Sequence, residues 1–289
     1  MDVARQNSDE QAALWNGRSG NAWVDLQGLL DRMLKPLEDL LLQTIAAGSG
    51  SRVLDVGCGT GSTTLAIARR LGASGRSTGI DISEPMIHLA RARAEREGVP
   101  ATFMRADAQT HAFEPASFDL LVSRLGVMFF GDFVEAFTNL RRAAADGAAL
   151  RFIAWRSAAE NPFMTTAERA AVPLLPNVPL RSADGPGQFA FADPGRVQRI
   201  LERSGWSDIR IEPIDVACTL PEKGLLRYLT RLGPLGRVLP DADERTRAQV
   251  IQTVRAAFEP YVHGDEVRLT NACWMVNAKA AAPMKAAHD

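Results

Sequence analysis

Val53-Leu-Asp-Val-Gly-Cys-Gly-Thr-Gly61 joins an apolar run to a glycine-rich turn and sets one carboxylate, Asp55, just ahead of the bend. The spacing is G-x-G-x-G, with Gly57, Gly59 and Gly61, and position 62 is Ser. A dinucleotide-binding turn puts its third glycine one residue later, so that a pyrophosphate can sit on the helix N-terminus. Asp55 would repel a pyrophosphate and welcome an ammonium group. The turn therefore points to an adenosine that carries an amino acid.

Two more strand ends extend the pattern. Ser77-Thr-Gly-Ile-Asp-Ile-Ser83 reads as a short strand closing on Asp81, 20 residues after Gly61, about where an acidic residue accepts the hydroxyls of a ribose. Ala101-Thr-Phe-Met-Arg-Ala-Asp107 ends a third strand in a carboxylate, and Asp107 with Ala108 is placed to meet an adenine amino group. In Asp55, Gly57, Gly59, Gly61, Asp81 and Asp107 the chain resembles the class I S-adenosyl-L-methionine (SAM)-dependent methyltransferases. Its look is that of the small-molecule branch that includes the ubiquinone and menaquinone C-methyltransferases. The resemblance covers residues 50 to 155. It implies that the glycine turn passes under the methionine moiety, that Asp81 holds the ribose, and that Asp107 and Ala108 flank the adenine. It extends the cofactor-binding set to Cys58, Ile82, Met86, Ser123, Arg124 and Trp23.

What it implies about function is methyl transfer, by in-line displacement, to carbon, oxygen or nitrogen of a small, partly apolar metabolite. Such chemistry needs orientation and exclusion of water above all. A dedicated base is needed only when the nucleophile starts protonated, and no catalytic residue is assigned. A SAM-binding module that serves as a sensor or partner without transfer is a second reading. A nicotinamide-dependent oxidoreductase is a third, disfavoured by Ser62 and Asp55.

Composition narrows the field. A chain of 289 residues with 46% hydrophobic residues suits one α/β domain with additions. The formal net charge is −1 and like charges do not cluster, so the basic footprint that phosphate backbones require is missing and nucleic acid is not the expected substrate. The polar start, and the lack of any stretch of roughly 18 apolar residues, predict a cytoplasmic protein with no membrane span. Cys58, Cys218 and Cys273 form no paired framework and read as reduced thiols. Cys58 reads as a small side chain beside the ligand rather than as a nucleophile.

Strand and helix signals alternate from residue 51 to 155, which predicts a doubly wound, seven-stranded, mostly parallel Rossmann-like sheet. The expected strands are Arg52–Val56, Ser77–Ile82, Thr102–Arg105, Phe118–Ser123, Ala149–Trp155, Ile209–Ala217 and Arg268–Ala278. Ser83 is expected to cap the helix that follows the second strand, and Gly147 to break the helix Phe133–Ala145. The predicted organisation is an N-terminal helical lid over 1–50, with helices Asp9–Asn16 and Ala22–Ala46, and a SAM-binding core over 51–217 with a loop-rich segment at 161–192. A helical cap insertion follows over 218–267, then a final core strand over 268–280 and a disordered tail over 281–289. The sixth strand's carboxyl end opens on the ligand edge, so the insertion begins above the site. Its apolar helix faces either fold inward or pair in a homodimer.

Of the four histidines, His88 and His288 read as surface or tail, while His111 and His263 are the two that could reach a site rim. No histidine or carboxylate spacing implies a metal. The fourth strand runs into Ser123-Arg-Leu-Gly-Val-Met-Phe-Phe130 and lacks the Asn/Asp-Pro-Pro-aromatic motif of amide and exocyclic-amine methyltransferases. Ser123 and Arg124 are expected beside the methionine end of the cofactor. Trp15 and Trp23 are expected either to close that site or to anchor the lid in the core.

Overall fold

The computed structural model describes residues 3–179 and 185–281. Four short helices come first: α1 (Val3–Asn16), α2 (Arg18–Asp25), α3 (Gln27–Met33) and α4 (Lys35–Gln43). The α/β region follows as β1 (Arg52–Val56), α5 (Ser62–Leu71), β2 (Arg76–Asp81), α6 (Glu84–Glu97), β3 (Ala101–Arg105), β4 (Phe118–Arg124), α7 (Phe133–Ala143) and β5 (Ala144–Trp155). Then come α8 (Phe163–Ala171), α9 (Pro194–Arg203), β6 (Trp206–Pro221), α10 (Leu225–Arg231), α11 (Gly233–Val238), α12 (Glu244–Ala257), β7 (Val262–His263) and β8 (Glu266–Ala280).

The main sheet has the order β3-β2-β1-β4-β5-β8-β6, with the two-residue β7 paired to β8. β1 to β5 pair in parallel, with Asp55 beside Gly79 and Asp81 beside Arg105. β8 runs antiparallel between β5 and β6. Order reverses between β1 and β4, and an open α/β sheet takes its ligands at such a switch point, outside the strands' carboxyl ends. Burial explains the parallel part: Val53, Leu54, Leu121 and Val122 are all inaccessible to solvent, as strands covered on both faces must be.

Local chemistry starts the helices. Asp132 accepts the Glu135 N–H at 2.9 Å to cap α7, and Asp193 caps α9 through Gly195 and Arg196, with Pro194 in the first turn. The helices then bury one stripe each. Phe137 of α7, Phe152 of β5 and Phe191 form a ring cluster with centroids 5.7 to 6.1 Å apart. The Trp206 indole closes it by donating to Phe137 O at 3.0 Å. Among the described residues no helix is long and apolar enough to cross a membrane.

Several expectations are corrected. The helix expected over Ala22–Ala46 is three, α2, α3 and α4, broken at Leu26 and Leu34, where ψ opens to 6° and 4° and both side chains are buried. Ser83 does not cap α6. Its hydroxyl donates to Trp15 O at 2.7 Å, and Asn16 Oδ1 accepts the Glu84 N–H instead. Gly147 breaks nothing, since β5 already begins at Ala144 and takes Gly147 in at φ +73°. β6 and β8 pair from Trp206–Ala280 out to Pro221–Glu266, so the segment between them is shorter than 218–267. The stretch 161–192 contains α8 and is not loop throughout. The tail from 282 lies outside the described residues.

Phe137→Ala removes the ring at the centre of the aromatic cluster. It is expected to cost about 3–5 kcal/mol of stability, measured by urea unfolding; a loss below about 1 kcal/mol would mean the cluster is not a keystone of the core.

Candidate active site

The glycine turn is fixed by backbone packing before any ligand arrives. Gly57 N–H and Cys58 N–H both donate to Ile80 O, at 2.9 and 3.1 Å, which pins the turn to the neighbouring strand. A Cβ on Gly57 would lie 2.7 Å from the Gly126 Cα, and φ there is +67°, so the turn touches the chain leaving β4 backbone to backbone. Gly61 answers a different demand. A side chain there would strike the Phe103 ring and Ala90 at 2.9 Å; its role is to let α5 sit against β3 and α6.

Asp81 ends β2 and clasps the turn. Its Oδ2 accepts the Gly59 N–H and its Oδ1 the Ser83 N–H, each at 2.8 Å. Burial pushes this carboxyl up, and the donated N–H groups pull it back down. Asp107, beyond β3, is also pushed up by burial and eased by the Gln109 N–H at 2.9 Å. Both carboxylates border one cavity of about 590 Å³ at the carboxyl ends of β1, β2 and β4.

Gly57, Cys58, Gly59 and Ile82 line that cavity near the turn, with Met86 and Ala108 further along. Arg124 and Trp23 line it as well. Asp55, Gly61 and Ser123 are not in its wall. Asp55 is 1% exposed and accepts the Thr64 hydroxyl at 2.6 Å, beneath the turn rather than in front of it. Burial raises its pKa to about 6. Ser123, fully buried, accepts the Gly126 N–H at 3.1 Å and shapes the loop after β4. In that loop Leu125 holds φ +67° as a non-glycine residue, a strain of the sort that gathers at functional sites. Burial pushes the Cys58 thiol well up, which suits a packing role.

The roof comes from segments far apart in sequence. Trp15 stands edge-on to Phe129 at 5.0 Å and to Trp23 at 6.4 Å, and all three line the cavity. Asn16 donates to Ile82 O at 3.1 Å and so ties α1 to the loop that follows Asp81. On the other side stand Trp155, Phe163 and Met164, with Tyr228, Leu229 and Leu235 of the segment between β6 and β8. Two ion pairs join the halves over the cavity: Arg18 with Asp241, bidentate at 2.6 and 2.9 Å, and Arg231 with Asp25. Both are exposed and weak. Tyr228, Leu229 and Leu235 belong to the insertion that the sequence sets above the site, whereas nothing in the sequence singles out Phe163 and Met164 of α8 as wall residues.

His111 lies outside the cavity, its ring against Phe113 at 4.7 Å, and His263 is exposed on β7. His88 borders a separate shallow depression, and His288 lies outside the described residues. Among the described residues no group of three His, Cys, Asp or Glu side chains could hold a metal.

The geometry agrees with comparison to known proteins. Residues 53–147 match a family model described as a methyltransferase domain. The chain is 36% identical over 105 residues to aklanonic acid methyltransferase DauC of Streptomyces sp. strain C5, covering 36% of this chain and 48% of that protein. It is 33% identical over 112 residues to nocamycin O-methyltransferase of Saccharothrix syringae, covering 37% and 40%. The chain spans about half the length of the curated relatives it matches. In fold it is similar to the YcgJ protein of Bacillus subtilis, with a TM-score of 0.55 at 16% identity over 85% of this chain and 98% of that one.

Asp55 offers a direct test of the buried charge beneath the glycine turn. The folded state holds its proton up to about pH 6, the unfolded chain only to about pH 4. Stability therefore falls as pH rises through that window and stays lower above it. Asp55→Asn keeps an acceptor for Thr64 and removes the charge. It is expected to stabilise the protein by about 1–3 kcal/mol at pH 7.5 and not at pH 4, read by chemical denaturation at both pH values. Equal effects at the two would place the Asp55 pKa in the ordinary range.

Proposed function

We propose that the chain is a SAM-dependent methyltransferase that alkylates an oxygen of a small, largely apolar metabolite. The observation that carries this reading is one cavity bordered by the glycine turn, Asp81 and Asp107 in chain order along a single sheet edge. The residues fit the cofactor. Asp81 spends one acceptor direction of each oxygen on a backbone N–H and keeps others for two vicinal hydroxyls. Gly59 carries no side chain over the turn, and a Cβ there would meet only the Met86 sulfur at 3.6 Å, so a ligand can lie close to the backbone. Asp107 and Ala108 stand where an adenine edge would be read, with Ile82 and Met86 as its apolar flanks. Asp55 acts from beneath, through Thr64, as a support of the turn. Bound there, SAM supplies a methyl group activated on a sulfonium.

The chain's own task is then to orient an acceptor and keep water out. Trp15, Trp23 and Phe129 form an apolar roof on one side, and Trp155, Phe163 and Leu229 an apolar wall on the other. Such a lining favours a small, mostly apolar acceptor and a dry displacement. Oxygen is favoured as the acceptor atom because one relative is named for O-methyl transfer. The quinone-like branch has no comparable support.

Calorimetry with SAM, S-adenosylhomocysteine and NAD tests the cofactor. The first two are expected to bind and NAD is not. Asp81→Ala is expected to weaken S-adenosylhomocysteine more than about tenfold, the cost of a lost charged acceptor. NAD binding without SAM binding would end the reading, and an unchanged affinity in the variant would remove Asp81 from the site.

A further inference from the structure

Glu38 of α4 is a carboxylate only 3% exposed, and the methyltransferase reading gives it nothing to do. Three side chains converge on it. The Ser62 hydroxyl, at the start of α5 directly after the glycine turn, donates to Oε2. Lys35 Nζ lies 3.3 Å from Oε1 and also pairs with Asp39 at the surface. Arg124 Nη1 lies 3.7 Å from Oε2.

Arg124 is the unusual member. It ends β4, lines the cavity, and its side chain is 10% exposed. Among the described residues its polar contacts are two, both long and both through Nη1: Glu38, and Leu34 O at 3.5 Å. The other edge of the fork, Nε and Nη2, makes none. A guanidinium this far out of water is costly unless a partner takes its charge. Glu38 is a shared partner, divided between Lys35, Ser62 and Arg124. The planar edge left over matches a carboxylate, which it can hold through two parallel N–H bonds.

We propose that Arg124 is the seat for a ligand carboxylate in the cavity, and that Glu38 is the positioning residue that holds its Nη1 edge. This rests on the SAM reading, because two bound molecules could bring the carboxylate: the amino-acid end of the cofactor, or an acidic acceptor. Glu38 belongs to the N-terminal helices, so the seat is complete only while α4 is docked against α5 and β4. Docking of that segment and capture of the anion are then one event.

Calorimetry on the full chain separates the cases. S-adenosylhomocysteine carries the carboxylate, and 5′-methylthioadenosine lacks the whole amino-acid end. If the cofactor supplies the anion, Arg124→Gln lowers affinity for S-adenosylhomocysteine by about tenfold or more and leaves methylthioadenosine within about twofold. Arg124→Lys keeps the charge, loses the fork, and falls between. Glu38→Gln lowers the same ratio by a smaller factor, a change that a merely structural role would not produce, since methylthioadenosine reports folding in the same variant. If the acceptor supplies it, both nucleosides hold their affinity in Arg124→Gln, while 1-naphthoate, read by ligand-observed NMR on the S-adenosylhomocysteine complex, loses binding that 1-naphthamide keeps. An unchanged nucleoside ratio together with no selective naphthoate binding in the wild type would overturn the seat. Wild-type protein that binds neither nucleoside would instead bring down the cofactor reading, and the seat with it.

Discussion

Asp81 Oδ2 accepts Gly59 N–H and Oδ1 accepts Ser83 N–H, and the whole carboxyl edge is arranged about that clasp. One carboxylate joins the end of β2 to the glycine turn after β1 and to the start of α6. Burial pushes its pKa up, and the N–H groups of Ser83 and Gly59, with that of Ile82, pull it back. The turn that supplies one of those donors is itself held down by Ile80 O and by the bare backbone of Gly126. The site is thus built before a ligand enters, which suits chemistry that consists mostly of orientation.

Around this preformed edge the rest of the chain builds an enclosure. α1 and α2 bring two tryptophans, α8 brings Phe163 and Met164, and the segment between β6 and β8 brings Tyr228 and Leu229. The inner contacts are tight: Asn16 bridges Ile82 O and Glu84 N–H, and Ser83 reaches Trp15 O. The outer seam rests on the exposed Arg18–Asp241 and Arg231–Asp25 pairs, which water and salt screen. A fold of this class hosts many chemistries, so the acceptor is chosen by these added walls and not by the sheet.

The buried charges divide the labour in the same way. Asp55 is sealed beneath the turn with Thr64, where it braces α5 against β1. Glu38 gathers Ser62, Lys35 and Arg124 into one cluster, so that α4 cannot leave without baring a carboxylate and a guanidinium together. Removing either partner strands the other in low dielectric, which makes such clusters strict about geometry.

The succession of strands along the chain, the three strand-end carboxylates and the glycine turn were legible in the residues, because each is a local pattern: apolar runs of strand length, glycines where φ is positive, an acid at a strand's carboxyl end. Asp81 and Asp107 read in this way line the cavity. Asp55 carried the same signal and faces Thr64 instead, since a motif marks a position along a strand but not what the side chain meets across it. Ser83 looked like a cap by type, yet Trp15 O lay nearer than its own helix, a contact 68 residues distant. Glu38 and Phe163 show nothing local that separates them from ordinary helix residues. That Phe163 lines the cavity, and that Glu38 meets Arg124 behind its wall, was decided only when α8 and α4 packed against the sheet, because packing between distant segments is set by the shapes of whole surfaces and leaves no periodicity in the chain.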